Sequence, residues 1–153
     1  MEKRADILFA NTAEAREICG FGKDISPAVA ARYLSHHCPF VSVTDGAEGS
    51  YIGVAGEVIY VSPAPCIPVD TCGAGDAYAA GILYGILKGV SDLKRLGNLA
   101  ASVASVVVGQ QGTRLRQKDA FAIMDSFLEE RVPDNDDSNT CSSAIEADAI
   151  SNV

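Results

Sequence analysis

The chain has 153 residues, of which 48% are hydrophobic and 21% are charged, so its length and composition suit a single globular domain. Its formal net charge is −8, and no Lys- and Arg-rich cluster indicates a surface for nucleic acid. No apolar run approaches the roughly 20 residues that span a bilayer, and the N-terminus has no secretory signal pattern, so we expect no membrane partner and a cytoplasmic location. The five cysteines lack CxxC spacing, which indicates free thiols.

The first part of the chain alternates short strands and helices. Residues 5–11 form an apolar run typical of a buried strand, and residues 12–20 have helical character with Thr12 as a candidate cap. A second helix is predicted over residues 26–37, because Ser26 is a favoured N-cap and a proline follows it. The apolar stripe predicted for this helix consists of Val29, Tyr33 and either Leu34 or His37.

A hairpin and three helices are predicted farther along the chain. The β-branched residues 40–44 predict a strand, residues 45–50 predict a turn, and residues 51–61 predict a hairpin around Ala55 and Gly56. Prolines at positions 63, 65 and 68 interrupt strand pairing after the hairpin. The remaining helices are predicted at about 74–88, 91–108 and 117–130.

The alternation of strands with helices predicts a three-layer α/β/α fold with a mostly parallel sheet and a small antiparallel hairpin. We assign residues 1–132 to this domain. Residues 133–153 contain five acidic residues and neither Lys nor Arg, which predicts a disordered acidic tail. We expect that deletion of residues 134–153 leaves the melting temperature unchanged.

The segment DTCGAGDAYAAGILYG, residues 70–85, carries the clearest functional signal. Three small residues, Gly73, Ala74 and Gly75, precede Asp76 at a predicted helix start, where backbone N–H groups lack helical partners and attract anions. The helix dipole favours the ionised carboxylate, which could orient a hydroxyl and accept its proton. From these residues alone, a second interpretation stays open, in which Asp76 only stabilises the helix N-terminus.

Two glycines interrupt the helix that follows. Gly81 and Gly85 each cost about 1 kcal/mol relative to Ala inside a helix, so a close contact on that face would explain them. We expect this contact to be packing of the helix against the sheet.

The segment DTCGAGDAYAAGIL closely resembles the C-terminal signature of the ribokinase-like (PfkB) sugar and nucleoside kinases. The resemblance implies that Gly73, Ala74 and Gly75 form an anion hole and that Asp76 is the catalytic base. It also implies a ribokinase-like fold and ATP-dependent phosphoryl transfer to an alcohol group. No P-loop pattern is present, which excludes a Walker-type enzyme.

Three more segments resemble the same family. NTAE (11–14) is similar to the N-x-x-E motif, which implies that Asn11 and Glu14 bind the cofactor, with Glu14 placing Mg²⁺ through water. TDGAEGS (44–50) is similar to the nucleotide-contacting T-x-G-x-x-G segment. Residues 97–113 resemble the helix and loop over adenine. The implied nucleotide contacts in these two segments are Thr44, Gly46, Gly49 and Asn98.

The resemblance further implies ATP, Mg²⁺ and, in many members, a monovalent cation such as K⁺. The matching cation ligands would come from Asp70, Cys72 and the loop of residues 108–112. The small-molecule acceptor would be a sugar or a nucleoside, and DILFAN (6–11) and RLGNLAASVAS (95–105) favour the adenosine-kinase-like branch.

The resemblance covers residues 5 to about 130 and only the C-terminal half of such a kinase. We therefore expect a fold truncated on its N-terminal side, and a missing N-terminal segment would leave a plastid or mitochondrial location open. Two hypotheses follow, the nucleotide and catalytic half of a kinase or a truncated product that binds nucleotide or a partner without turnover. We expect the isolated chain to bind ATP·Mg²⁺ weakly and to show no phosphoryl transfer, because half of the sheet that would position its motifs is absent.

Overall fold

The computed structural model describes residues 5–129, which form one four-stranded sheet with helices on both faces. The tail predicted over residues 133–153 lies outside the described residues. The strands are β1 (Ile7–Asn11), β2 (Phe40–Thr44), β3 (Ser50–Val54) and β4 (Glu57–Val61). The helices are α1 (Thr12–Cys19), α2 (Pro27–Ser35), α3 (Ala74–Leu87), α4 (Leu93–Val108) and α5 (Gln117–Glu129).

The sheet is mixed, with the strand order β1-β2-β3-β4. The β1–β2 pair is parallel, whereas the β2–β3 and β3–β4 pairs are antiparallel, so the antiparallel part of residues 5–129 is larger than the sequence suggested. The reason lies in residues 45–49, which connect β2 to β3 and are too few for the crossover that a parallel pair needs. The predicted hairpin is confirmed, and Ala55 (φ 51°) and Gly56 (φ 84°) adopt the positive φ values of its two-residue turn.

Each face of the sheet carries its own hydrophobic core, as a three-layer fold requires. On one face, α1 and α2 cover a cluster that includes Ala10, Val41 and Val43. On the other face, α3 and α4 cover a cluster that includes Ile52 and Val61. Side chains on adjacent residues of β2 and β3 therefore enter different cores, because a strand points successive side chains to opposite faces.

The apolar stripe predicted for α2 is wrong at Val29 and Tyr33 and is confirmed only at Leu34. Val29 and Tyr33 are 51% and 45% exposed, whereas Ala30, Ala31 and Leu34 are buried against the sheet. The helix packs so closely that a Cβ added to Gly53 of β3 would lie 2.8 Å from the Ala31 carbonyl oxygen. Small side chains therefore occupy the inner face of α2.

The packing partner predicted for Gly81 and Gly85 is also wrong. A Cβ on Gly81 would lie 2.6 Å from the Cα of Ala100, and a Cβ on Gly85 would meet the Leu96 side chain. Both partners belong to α4, so the two glycines allow close packing of α3 on α4 and not of α3 on the sheet. Within residues 5–129, none of the helices has the length and apolar character that a membrane crossing requires.

Candidate active site

A cavity of about 470 Å³ lies beside the carboxyl end of β2, where four chain segments meet. The loop between β2 and β3 supplies one wall, and the first turn of α3 supplies a second. The proline-containing segment after β4 and the C-terminal half of α4 complete the lining. The residues that line the first two walls include Thr44, Gly46, Gly49, Ser50, Ala74, Gly75 and Tyr78.

The loop between β2 and β3 is closed by its own backbone. The N–H of Asp45 donates to the carbonyl of Gly49 at 2.8 Å, and the N–H of Glu48 donates to the carbonyl of Asp45 at 3.0 Å. Gly46 (φ 58°) and Gly49 (φ 100°) have left-handed backbone conformations that strongly favour glycine. A Cβ on Gly49 would also collide with the carbonyl oxygen of Val61. The two glycines predicted from the T-x-G-x-x-G pattern therefore set the shape of this wall.

The first turn of α3 contributes Ala74 and Gly75 to the cavity wall. Gly73 precedes the helix with φ 80°, and among residues 5–129 no acceptor pairs with the N–H of Gly75 or of Asp76. No atom lies within 4 Å of a Cβ added to Gly75, whereas a Cβ on Gly73 would lie 2.8 Å from the Cβ of Thr113. Gly73 is thus required by the backbone and its packing, and Gly75 leaves open space where an anion could approach.

Asp76 is the third residue of α3 and its side chain is exposed. It follows directly after two residues that line the cavity, Ala74 and Gly75, and it lies in the first turn, where the positive end of the helix dipole favours a negative charge. Asp76 thus lies in the same turn as Gly75, next to the cavity lining.

Asn11 and Glu14 bind each other in a reciprocal cap at the start of α1. The N–H of Asn11 donates to Oε2 of Glu14 at 2.8 Å, and the N–H of Glu14 donates to Oδ1 of Asn11 at 2.9 Å. Asn11, and not Thr12 as predicted, is therefore the N-cap. Neither side chain lines the cavity, and both residues are exposed.

The side chains near the cavity suit a metal ion that is coordinated mainly by water and by phosphate oxygens. Among residues 5–129, no group of three or more His, Cys, Asp or Glu side chains is arranged to hold a metal ion. Mg²⁺ typically keeps several waters and uses one or two carboxylates together with substrate phosphates. Glu14 fits that requirement, because the capping bond engages its Oε2 and leaves Oε1 for a water-mediated contact.

One hydroxyl contact joins α1 to the loop between β2 and β3, and another joins α3 to the end of that loop. The sequence did not indicate either contact. Thr12 Oγ1 donates to Oδ1 of Asp45 at 2.6 Å and lies 3.2 Å from the carbonyl oxygen of Thr44. The Tyr78 hydroxyl lies 2.8 Å from the Ser50 hydroxyl, and both residues are buried at the cavity. Burial raises the pKa of the Tyr78 phenol, and the hydrogen bond with Ser50 opposes that shift. The only signal in the sequence was the position of these residues inside or beside the motifs.

Asp70 and the end of α4 are neighbours, as the predicted cation site requires. The N–H groups of Val69 and Asp70 donate to the carbonyl of Val108 at 2.8 and 3.1 Å. Oδ1 of Asp70 accepts the N–H of Cys72 at 2.9 Å. The carboxylate therefore orders the turn that leads into α3, and its Oδ2 takes no part in that bond.

Asn98 is not brought to the cavity. It is exposed on α4, one turn before the residues of that helix that line the cavity, which are Ala101, Ala104, Ser105 and Val108. The proline-containing segment after β4 supplies the opposite apolar wall through Pro63, Ala64, Pro65, Cys66 and Pro68. The sequence identified these prolines only as breaks in strand pairing.

Comparisons of the sequence and of the structure with known proteins both find similarity to kinases. The family model described as pfkB family carbohydrate kinase matches residues 1–120. A nucleoside kinase of Methanothermobacter thermautotrophicus is 39% identical over 123 residues, which cover 80% of this chain and 38% of that protein. The adenosine kinase from Sinorhizobium meliloti superposes with a TM-score of 0.70 at 34% identity, over 79% of this chain and 36% of that one.

A probable sugar kinase from Rhizobium etli superposes equally well, with a TM-score of 0.71 at 31% identity, over 80% of this chain and 36% of that one. The chain thus spans less than half the length of the relatives that it matches. The expectations of a ribokinase-like fold and of kinase ancestry are confirmed by these similarities.

Proposed function

The chain belongs to the pfkB family of carbohydrate kinases, and on that premise we propose that residues 5–129 form the nucleotide-binding and catalytic part of a kinase. The reaction is transfer of a phosphoryl group from ATP to an alcohol group of a sugar or nucleoside. The observation that carries the proposal is the cavity shared by the loop of residues 44–49 and the first turn of α3, with Asp76 in that turn.

The chemistry of the cavity walls suits the parts of ATP. The N–H groups of Gly75 and Asp76, which have no acceptor within residues 5–129, suit phosphate oxygens in a turn formed by Gly73, Ala74 and Gly75. The apolar wall of prolines and α4 residues suits a purine ring. Glu14 would contact Mg²⁺ through water, and Mg²⁺ bound to the phosphates neutralises charge that develops during transfer. Asp70 is the proposed side-chain ligand of K⁺.

Asp76 is the proposed general base. Its carboxylate accepts the proton of the acceptor hydroxyl while the acceptor oxygen forms a bond to the terminal phosphorus. The bond from that phosphorus to the ADP oxygen breaks, and ADP leaves. Phosphoryl transfer has a loose transition state, so positioning and electrostatic stabilisation by the turn around Gly75 contribute more than base strength.

Calorimetric titration of the chain with ATP·Mg²⁺ tests the binding part of the proposal. We expect saturable binding that Gly75→Val weakens, because its side chain occupies open space at the cavity wall. Asp76→Asn is the matched variant in the same turn, and we expect it to retain affinity. Absence of saturable binding, or equal affinity in the Gly75→Val protein, contradicts the proposed site.

A transfer assay with adenosine, ribose and fructose tests the catalytic part. Where transfer is detected, Asp76→Asn is expected to reduce kcat by about 10²- to 10⁴-fold with little change in the KM for ATP. Near-normal turnover of that variant contradicts the base assignment.

A second candidate function is nucleotide binding without turnover. The specific observation in its favour is the size of the sheet in the part of the chain that the structure describes. Among residues 5–129, β1 pairs with β2 alone, so the sheet that positions the motifs is small. Saturable ATP·Mg²⁺ binding with no transfer to any of the three acceptors is the result that favours this candidate.

A further inference from the structure

The loop of residues 45–50 is held at both ends by hydroxyl groups from other segments. At its start, Thr12 of α1 donates to the Asp45 carboxylate at 2.6 Å. At its end, the Tyr78 hydroxyl of α3 lies 2.8 Å from the Ser50 hydroxyl. The two contacts join residues that are 33 and 28 positions apart in the chain.

We propose that Thr12 and Tyr78 are positioning residues that brace the loop of residues 45–50 between α1 and α3. This inference rests on the proposed function, because the loop and the first turn of α3 are the two walls assigned to the nucleotide. Thr12 lies between Asn11 and Glu14, and Tyr78 lies two residues after Asp76. The two hydroxyls therefore connect each of the other two motif segments to the loop.

The contact between Tyr78 and Ser50 is buried, so the loss of either hydroxyl is costly. Tyr78 is 4% exposed and Ser50 is 2% exposed, so loss of either hydroxyl removes the partner of a buried polar group. The Thr12 contact has a charged acceptor, which makes it stronger than a bond between neutral groups. Asp45 directly follows β2, and Ser50 is the first residue of β3, so the two bonds act where the loop joins the sheet.

Hydrogen exchange of the whole chain tests the brace without depending on nucleotide binding. In the variants Thr12→Val and Tyr78→Phe, each of which removes one hydroxyl, we expect the N–H groups of Asp45 and Glu48 to exchange roughly 2- to 10-fold faster. We expect the exchange of Val41 in β2 to stay unchanged. Thr12→Ser retains the hydroxyl and is expected to restore slow exchange.

Matched controls lie elsewhere in the chain. Tyr33→Phe removes a hydroxyl from an exposed tyrosine of α2, and Ser102→Ala removes the hydroxyl that bonds the Asn98 carbonyl within α4. We expect neither change to alter exchange in the loop. Unchanged loop exchange in both the Thr12→Val and Tyr78→Phe proteins overturns the brace, as does equal acceleration in the loop and in β2.

Titration with ATP·Mg²⁺ separates the brace from the proposed function. Weaker binding by the Thr12→Val protein, with recovery in Thr12→Ser, supports a positioning role, whereas unchanged affinity in a loop that exchanges faster overturns it. If the unaltered chain binds no ATP, the proposed function fails, and the exchange result still decides whether the brace exists.

Discussion

Asn11 and Glu14 satisfy each other's backbone N–H groups, at 2.8 and 2.9 Å, in the segment that we also propose to place Mg²⁺. One carboxylate thus has a structural bond to the start of α1 and a second oxygen for a metal-bound water. Replacing Glu14 by Gln separates the capping role from the metal role. The substitution removes the negative charge but keeps a side-chain oxygen that accepts the Asn11 N–H, because Gln can also close a capping box.

We expect Glu14→Gln to retain the free energy of unfolding and to weaken the Mg²⁺ dependence of ATP binding. Glu14→Ala also loses the bond to the Asn11 N–H, so its free energy of unfolding is expected to fall by about 0.5–1.5 kcal/mol. Denaturant unfolding and ATP titration at several Mg²⁺ concentrations measure the two effects. Glu17→Gln, an exposed charge removal on the same helix, is the control. An unchanged Mg²⁺ dependence in the Glu14→Gln protein contradicts the metal role.

The glycines of the anion-binding turn differ in what they contribute. Gly73 has a left-handed backbone and no room for a Cβ, so we expect Gly73→Ala to lower the free energy of unfolding by at least about 1 kcal/mol. Gly75 lies in α3 with open space beside it, so Gly75→Ala is expected to leave stability unchanged or raise it by up to about 1 kcal/mol. Thermal and denaturant unfolding distinguish the two. Of these two glycines, only Gly73 has the positive φ that favours glycine.

The packing of α3 on α4 predicts that substitution of Gly81 lowers the free energy of unfolding more than substitution of Gly85. A Cβ on Gly81 meets the backbone of Ala100, so we expect Gly81→Ala to lower the free energy of unfolding by about 1–3 kcal/mol. A Cβ on Gly85 meets the end of the Leu96 side chain, which can move, and we expect a smaller loss. Gly22→Ala, where nothing lies within 4 Å, is the control. A larger loss at Gly85 than at Gly81 contradicts this packing.

The buried phenol of Tyr78 predicts a stability difference that depends on pH. Its pKa is raised in the folded chain, chiefly by burial, so the folded state holds the proton at pH values where the unfolded state releases it. The stabilisation is complete below about pH 10, the unperturbed tyrosine pKa, and is lost as the pH rises above that value. We therefore expect the Tyr78→Phe protein to be less stable than the unaltered chain at about pH 8, and the gap to narrow by about pH 10.5.

Denaturant unfolding of both proteins across that pH range measures the gap. Tyr33→Phe serves as the control, because Tyr33 is 45% exposed and its removal tests the effect of one tyrosine fewer. A gap between the Tyr78→Phe protein and the unaltered chain that is the same at both pH values contradicts the prediction.

Local signals in the sequence determined the elements and the family. Ser26 and Pro27 begin α2, Gly20 ends α1 in a left-handed conformation, and Ala55 and Gly56 form the hairpin turn. Caps and turns depend on residues a few positions apart, so the sequence contains nearly all of the information that they need. The signature around Asp76 is likewise contiguous, which is why the order of residues alone was enough to indicate the kinase family.

Only the tertiary structure decided which segments meet. The contacts of Thr12 with Asp45 and of Tyr78 with Ser50 join residues far apart in the chain, and no local pattern predicts them. The sequence also failed at Val29 and at the partner of Gly81, because burial and contact depend on how closely a helix approaches its neighbour. The register of the sheet and the packing of α3 on α4 set those distances, since they fix where each side chain lies once the local elements have formed.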